Sequence, residues 1–184
     1  MFLKSLFKIK NRAFTLIEML IVMAIVVIIS SLIFLNYGKQ KQHFALQRST
    51  YKLAQDIRKA SEMGMSARVF KGEVPRGGYG IYFSTASPTS YILFADLDGD
   101  HLYSGPGEEE EEINLEKRVY IKEILPPSYS FLNITFQPPN PTVTISNEDG
   151  TSTTSEATIV LSLETDPAIT RKIKINSAGL IDID

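Results

Sequence analysis

The sequence predicts an α+β fold, with one long N-terminal helix packed on an antiparallel β-sandwich or curled β-sheet. Three observations carry that expectation. A 22-residue run from Phe14 to Leu35 holds Glu18 as its only charged residue. A stripe of apolar and small residues then continues at helical spacing to about residue 67. From about residue 77 the period changes to two, with Pro, Gly, Asn and Asp clusters between short apolar segments.

The first run is long enough to cross about 30 Å of hydrocarbon at 1.5 Å per residue. A buried core helix seldom carries so many apolar residues without a polar face, so residues 14–37 are read as a membrane helix. Its flanks do not orient it. Lys4, Lys8, Lys10 and Arg12 precede it, and Lys39, Lys41, Arg48 and Lys52 follow it, four against four. Glu18 is the anomaly. A carboxylate at bilayer depth costs about 2.5–3.5 kcal/mol on insertion scales, so an acid there calls for a partner. Snorkelling toward the headgroups is the plainer alternative, since Glu18 lies only five residues into the run.

Residues 38–68 are expected to form an amphipathic helix laid on the sheet. Leu46, Thr50, Leu53, Ile57, Ala60, Gly64 and Ala67 step by four and three along one face, while Lys52, Asp56, Lys59 and Glu62 fall off it. Gly38 weakens the helix locally by about 1 kcal/mol relative to Ala.

Residues 69–184 read as a β-rich domain of about seven strands, carried by "GYGIYFS", "SYILFAD", "RVYIKEI", "YSFLNITFQ", "TVTISN", "ATIVLSLE" and "RKIKINSAGLIDI". In "RKIKIN" the alternation places Ile173 and Ile175 inward and the cations outward. "GTSTTSE" reads as a polar loop and Glu108–Glu112 as a solvated acidic one.

Composition excludes several chemistries. There is no cysteine, so disulfides, thiol catalysis and thiolate metal sites are out. With 19 basic and 21 acidic residues, no global pull toward nucleic acid exists. Asp96, Asp98 and Asp100 alternate as hard oxygen ligands would for calcium, but Gly99 stands at the fourth position of that loop, where a calcium-binding EF-hand has its glycine at the sixth. Asp-Gly is also a strong hairpin signal, so a turn is preferred and no cofactor is expected. "RGGYG" lacks the lysine and following helix of a phosphate loop. His43 and His101 read as surface residues, and the "NIT" triplet at Asn133 as a chance glycosylation match. Neither a Ser-His-Asp set nor a pair of catalytic acids emerges, so no enzyme is expected.

The order basic leader, small residue, "FTLIEMLIVMAIVVI" resembles the type III signal of type IV prepilins and type II secretion pseudopilins. A secretory signal peptide has its small-residue site after the apolar run; here Ala13 precedes it. The resemblance makes the fold pilin-like and residues 1–13 a cleavable leader. It implies that a prepilin peptidase cuts between Ala13, where the family usually has Gly, and Phe14, whose new amine is then methylated. Cleavage also answers the question of Glu18. Its carboxylate would pair with the Phe14 amine of a neighbouring subunit, in a low-dielectric phase where either charge alone is penalised. Without the leader the rest holds 15 basic and 21 acidic residues.

One helix followed only by strands, with "YILFADLDGDHLYS" and a closing strand–Gly–strand, looks like the minor pseudopilin H group (GspH/FimT-like). The implied partners are other pilins in a filament, prepilin peptidase, an inner-membrane assembly platform, and membrane lipid before assembly. The implied location is the bacterial inner membrane, single-pass, with the C-terminal domain periplasmic. An alternative is a minor pilin that binds DNA through Arg171, Lys172 and Lys174. An anchored metal-dependent hydrolase at Asp96–Asp100 is the remaining rival.

Overall fold

The computed structural model describes residues 14–126, 130–138, 142–147 and 154–184. One helix, α1, runs from Leu16 to Met65 without interruption at Gly38. Nine strands follow: β1 (Gly78–Ser84), β2 (Ser90–Asp96), β3 (Glu109–Asn114), β4 (Val119–Leu125), β5 (Phe131–Gln137), β6 (Thr142–Ser146), β7 (Glu156–Leu163), β8 (Asp166–Asn176) and β9 (Ile181–Ile183). The chain divides into two compact units between Gln40 and Lys41.

The second unit contains two antiparallel sheets, ordered β3-β2-β1-β5-β6 and β4-β7-β8-β9. Hairpin pairing accounts for β1 with β2, Gly78 opposite Asp96, and for β5 with β6. β5 returns to pair with β1, Ile81 opposite Ile134, which leaves β3 and β6 as edges. β7 is buried from Ala157 to Leu163, as a strand covered on both faces should be. Ile173 and Ile175 on β8 point into the same core; Arg171 and Lys172 just before them are exposed, and Lys174 between them is half-buried.

The C-terminal stretch of α1 closes that core. Leu46, Leu53, Ile57 and Ala60 are buried within one cluster that includes Tyr79, Ile81, Leu93, Ile134, Ile159 and Ile173. Gly64 is required where it stands, because a Cβ there would collide with the Phe136 carbonyl oxygen. Ala67 does not extend the stripe. It is exposed at φ 46°, and the helix ends in a left-handed cap. The Arg68 N–H donates to the Met63 carbonyl (3.2 Å) and the Ala67 N–H to that of Gly64 (3.0 Å). Tyr91 fixes the helix against β2, donating its hydroxyl to Asp56 at 2.6 Å.

Two sequence expectations need correction here. The strands number nine among the described residues, since "RKIKINSAGLIDI" splits at the Asn176–Gly179 turn and the acidic run forms β3. Glu108–Glu112 is thus no free loop. Its residues pair with β2 (Leu93 opposite Glu111), Ile113 is buried, and Glu110 and Glu111 reach Arg68 (3.1 Å) and Lys59 (3.0 Å). A charged edge strand of this sort resists pairing with other chains. Most of "GTSTTSE" lies outside the described residues.

Candidate functional site: the N-terminal motif and the acidic loop

Thr15 and Glu18 open α1 as a reciprocal cap. The Glu18 N–H donates to Thr15 Oγ1 (3.2 Å), and the Thr15 N–H donates to Glu18 Oε2 (3.4 Å). This is the T-x-x-E capping box, which satisfies two N–H groups that the first helical turn otherwise leaves without partners. The motif is legible in the sequence as "TLIE", a partner for Glu18 within its own chain. The cap occupies only part of the carboxylate. Glu18 stays exposed in the first turn, and Phe14 is 72% exposed. Ala13 lies outside the described residues.

Beyond the cap, Leu16–Ile33 is long and apolar enough to cross a membrane, and none of it is buried. Eighteen residues rise about 27 Å. Ser31 donates its hydroxyl to the Ile28 carbonyl (2.8 Å), so that polar group is satisfied within the helix and suits an apolar phase.

Residues 8–34 match the prokaryotic N-terminal methylation motif. With the apolar helix, that match supports a type IV pilin-like protein and a processed, pilin- or pseudopilin-like subunit. Chains with this motif are in general structural, assemble with other pilins and are cut by a prepilin peptidase. The helix is compatible with a single-pass, membrane-anchored pilin. No curated protein and no solved structure matches the chain.

The acidic loop after β2 has a different architecture from the one its spacing suggests. Asp96 is fully buried, and both its oxygens accept backbone N–H groups, Oδ1 from Gly99 (2.7 Å) and Oδ2 from His101 (2.9 Å). Gly77 makes room for that carboxylate, since a Cβ at 77 would overlap it. Glu108, also buried, ties the far end of the loop by accepting from Leu97 (3.0 Å) and Ser104 (2.9 Å). Asp98 accepts from the Asp100 N–H, and Asp100 from that of Leu102.

Asp96, Asp98 and Glu108 bring one oxygen each within 4.8 Å of one another, and Asp100 is outside that group. These carboxylates already serve as acceptors that hold the loop in place. Burial is the main cause that raises the Asp96 carboxyl to about 6, against the lowering effect of its two N–H donors and His101.

His101 is not the plain surface residue its sequence suggests. Its Nδ1 lies 3.1 Å from Thr135 Oγ1 and 3.5 Å from Asp96 Oδ2, and its backbone is left-handed at φ 64°. Asn133 is buried too, its side-chain oxygen accepting from Tyr103 N–H (3.0 Å), so the "NIT" triplet offers no accessible glycan acceptor.

Arg171, Lys172 and Lys174 all lie on β8. Lys174 Nζ sits 3.1 Å from Asp184, which raises its pKa, with Asp182 and Glu156 adding to the effect. Of the three cations, Lys174 is thus already faced by acids, which leaves Arg171 and Lys172 as the exposed basic pair. That weakens the electrostatic footprint that nucleic acid would need.

Proposed function

We propose that the chain is a minor pseudopilin of the H group type. A prepilin peptidase cuts it after Ala13 and methylates Phe14. Leu16–Ile33 anchors it in the inner membrane with the β-rich unit periplasmic. From there it enters a type II secretion pseudopilus or a type IV pilus and so supports secretion or pilus biogenesis. Calcium and nucleic acid have no part in this reading. The observation that carries it is Glu18, an exposed carboxylate in the first turn of a helix with no further charge before Lys39. Paired with a neighbour's Phe14 amine, the acid favours the packed subunit over the one dispersed in lipid, because either charge alone is penalised there.

Two measurements test this. N-terminal sequencing of protein isolated from cells should begin at a methylated Phe14, and an intact Met1 in assembled filament overturns the processing step. Glu18→Leu should still insert in membranes, yet its incorporation into filament should fall by at least tenfold. Normal incorporation of that variant refutes the pairing.

A further inference from the structure

A cavity of about 530 Å³ opens at the start of the second unit, lined by Lys41, Ala45, Arg48, Glu116, Lys117 and Arg118. Two segments build it. α1 supplies Lys41, Ala45 and Arg48, and the turn between β3 and β4 supplies the rest. Ser49 fixes the turn to the helix by accepting the Glu116 N–H (3.2 Å). Arg48 reinforces the join with two hydrogen bonds of 2.6 Å to the Glu116 carboxylate. The cavity thus holds four cations against one acid, and that acid is already taken. Lys41, Lys117 and Arg118 are exposed and have no ion-pair partner among the described residues.

Arg118 is the telling residue. Its φ is 70°, a conformation that L side chains rarely adopt and that glycine takes freely. The turn is nevertheless locked there. The Val119 N–H donates to the Glu116 carbonyl (3.0 Å) and the Glu164 N–H donates to that of Arg118 (2.9 Å). A strained backbone held from both sides points to a side chain kept for its own sake.

We infer that this cavity binds the phosphate headgroup of an anionic phospholipid in the bilayer that the chain's own apolar helix occupies. The inference rests on the membrane-anchored reading above. Charge complementarity favours the headgroup, with three unneutralised cations, one of them the Arg118 guanidinium suited to phosphate oxygens. Sequence distance favours it as well. Lys41 comes eight residues after Ile33, the end of the apolar span, and even a fully extended chain of that length reaches at most about 28 Å. The cavity is tethered to its ligand source.

The test uses the full-length chain in neutral micelles, titrated separately with short-chain phosphatidylglycerol, short-chain phosphatidylcholine and inorganic phosphate. Amide NMR shifts of Lys117 and Arg118 give the readout. Phosphatidylglycerol should saturate at least tenfold below phosphatidylcholine, with phosphate ineffective in that range. The double variant Lys117→Gln/Arg118→Gly should weaken binding by about fivefold for each cation removed. Arg118→Gly alone should keep or raise Tm, because glycine suits that backbone, so lost affinity cannot be blamed on misfolding.

Equal binding of the two lipids, an unaffected double variant, or phosphate acting at the same concentrations overturns the inference. So does variant-sensitive self-association without headgroup preference, which would mean an acidic face of a second copy. Flotation with pure phosphatidylcholine vesicles separates the two readings. A chain that floats but shows no headgroup preference loses only the cavity assignment; a chain that does not float loses the anchor and the assignment with it.

Discussion

Along α1, the residues from Leu16 to Ile33 are exposed on every side, whereas those from Ala45 to Gly64 bury one stripe in the core of the second unit. The first stretch has apolar residues all round; the second has them every third or fourth position, with Lys52, Lys59 and Glu62 outside. An all-round apolar helix finds no sufficient cover within its own chain and needs lipid or other subunits. A striped helix needs one surface, and the sheets supply it. On the proposed reading, the two stretches therefore place their free energy in different events, one in membrane residence and assembly, the other in folding.

Truncating one residue in each stretch breaks that comparison most sharply. Ile57 is fully buried, so Ile57→Ala should destabilise the second unit by about 2–5 kcal/mol, read as a lower unfolding midpoint of near-ultraviolet signal in micelles. Ile25 is exposed, so Ile25→Ala should leave that midpoint unchanged and act, if at all, on assembly. Equal losses from the two variants would mean that both stretches belong to one cooperative unit.

The contrast between an enclosed and an exposed carboxylate is the next test. Asp96 is enclosed, and burial raises its pKa from 3.8 to about 6. The folded chain thus holds that proton more tightly than the unfolded chain does. Its contribution to stability is full below pH about 4 and is lost as pH rises through about 6, up to roughly 3 kcal/mol if nothing relaxes. Asp96→Asn keeps an oxygen acceptor and removes the titration. The difference in stability between pH 4 and pH 7 should shrink accordingly, and an unchanged pH profile would show that Asp96 does not titrate in this window.

What the sequence disclosed and what it hid have physical causes. The helical stripe from Leu46 to Gly64 and most strands were legible because burial on one face leaves a period of 3.6 or 2 in the residues. β3 left no such trace. "EEEEIN" has little strand preference of its own, and it forms because β2 offers a ladder and because Lys59 on the helix and Arg68 just past its end answer two of its acids. The role of Asp96 was half legible. Its turn was readable from Asp-Gly, but the partner Glu108 stands twelve residues on and is recruited only by the closed loop. The basic cavity was not legible at all, since Lys41 and Arg118 meet through the Ser49–Glu116 contact and not through spacing.

The smallest effect bears on Glu18, which has two partners in prospect, Thr15 within the chain and an amine outside it. Thr15→Val removes the hydroxyl that accepts the Glu18 N–H and leaves the carboxylate in place. Loss of an N-cap costs about 0.5–2 kcal/mol of local helix stability. Faster amide exchange should therefore appear in the first turn, at Ile17 to Met19, with the second unit unaffected. If Glu18 serves chiefly as a cap, Thr15→Val and Glu18→Leu should impair filament incorporation alike. If it pairs across subunits, Thr15→Val should assemble near normally, and only the loss of the carboxylate should stop it.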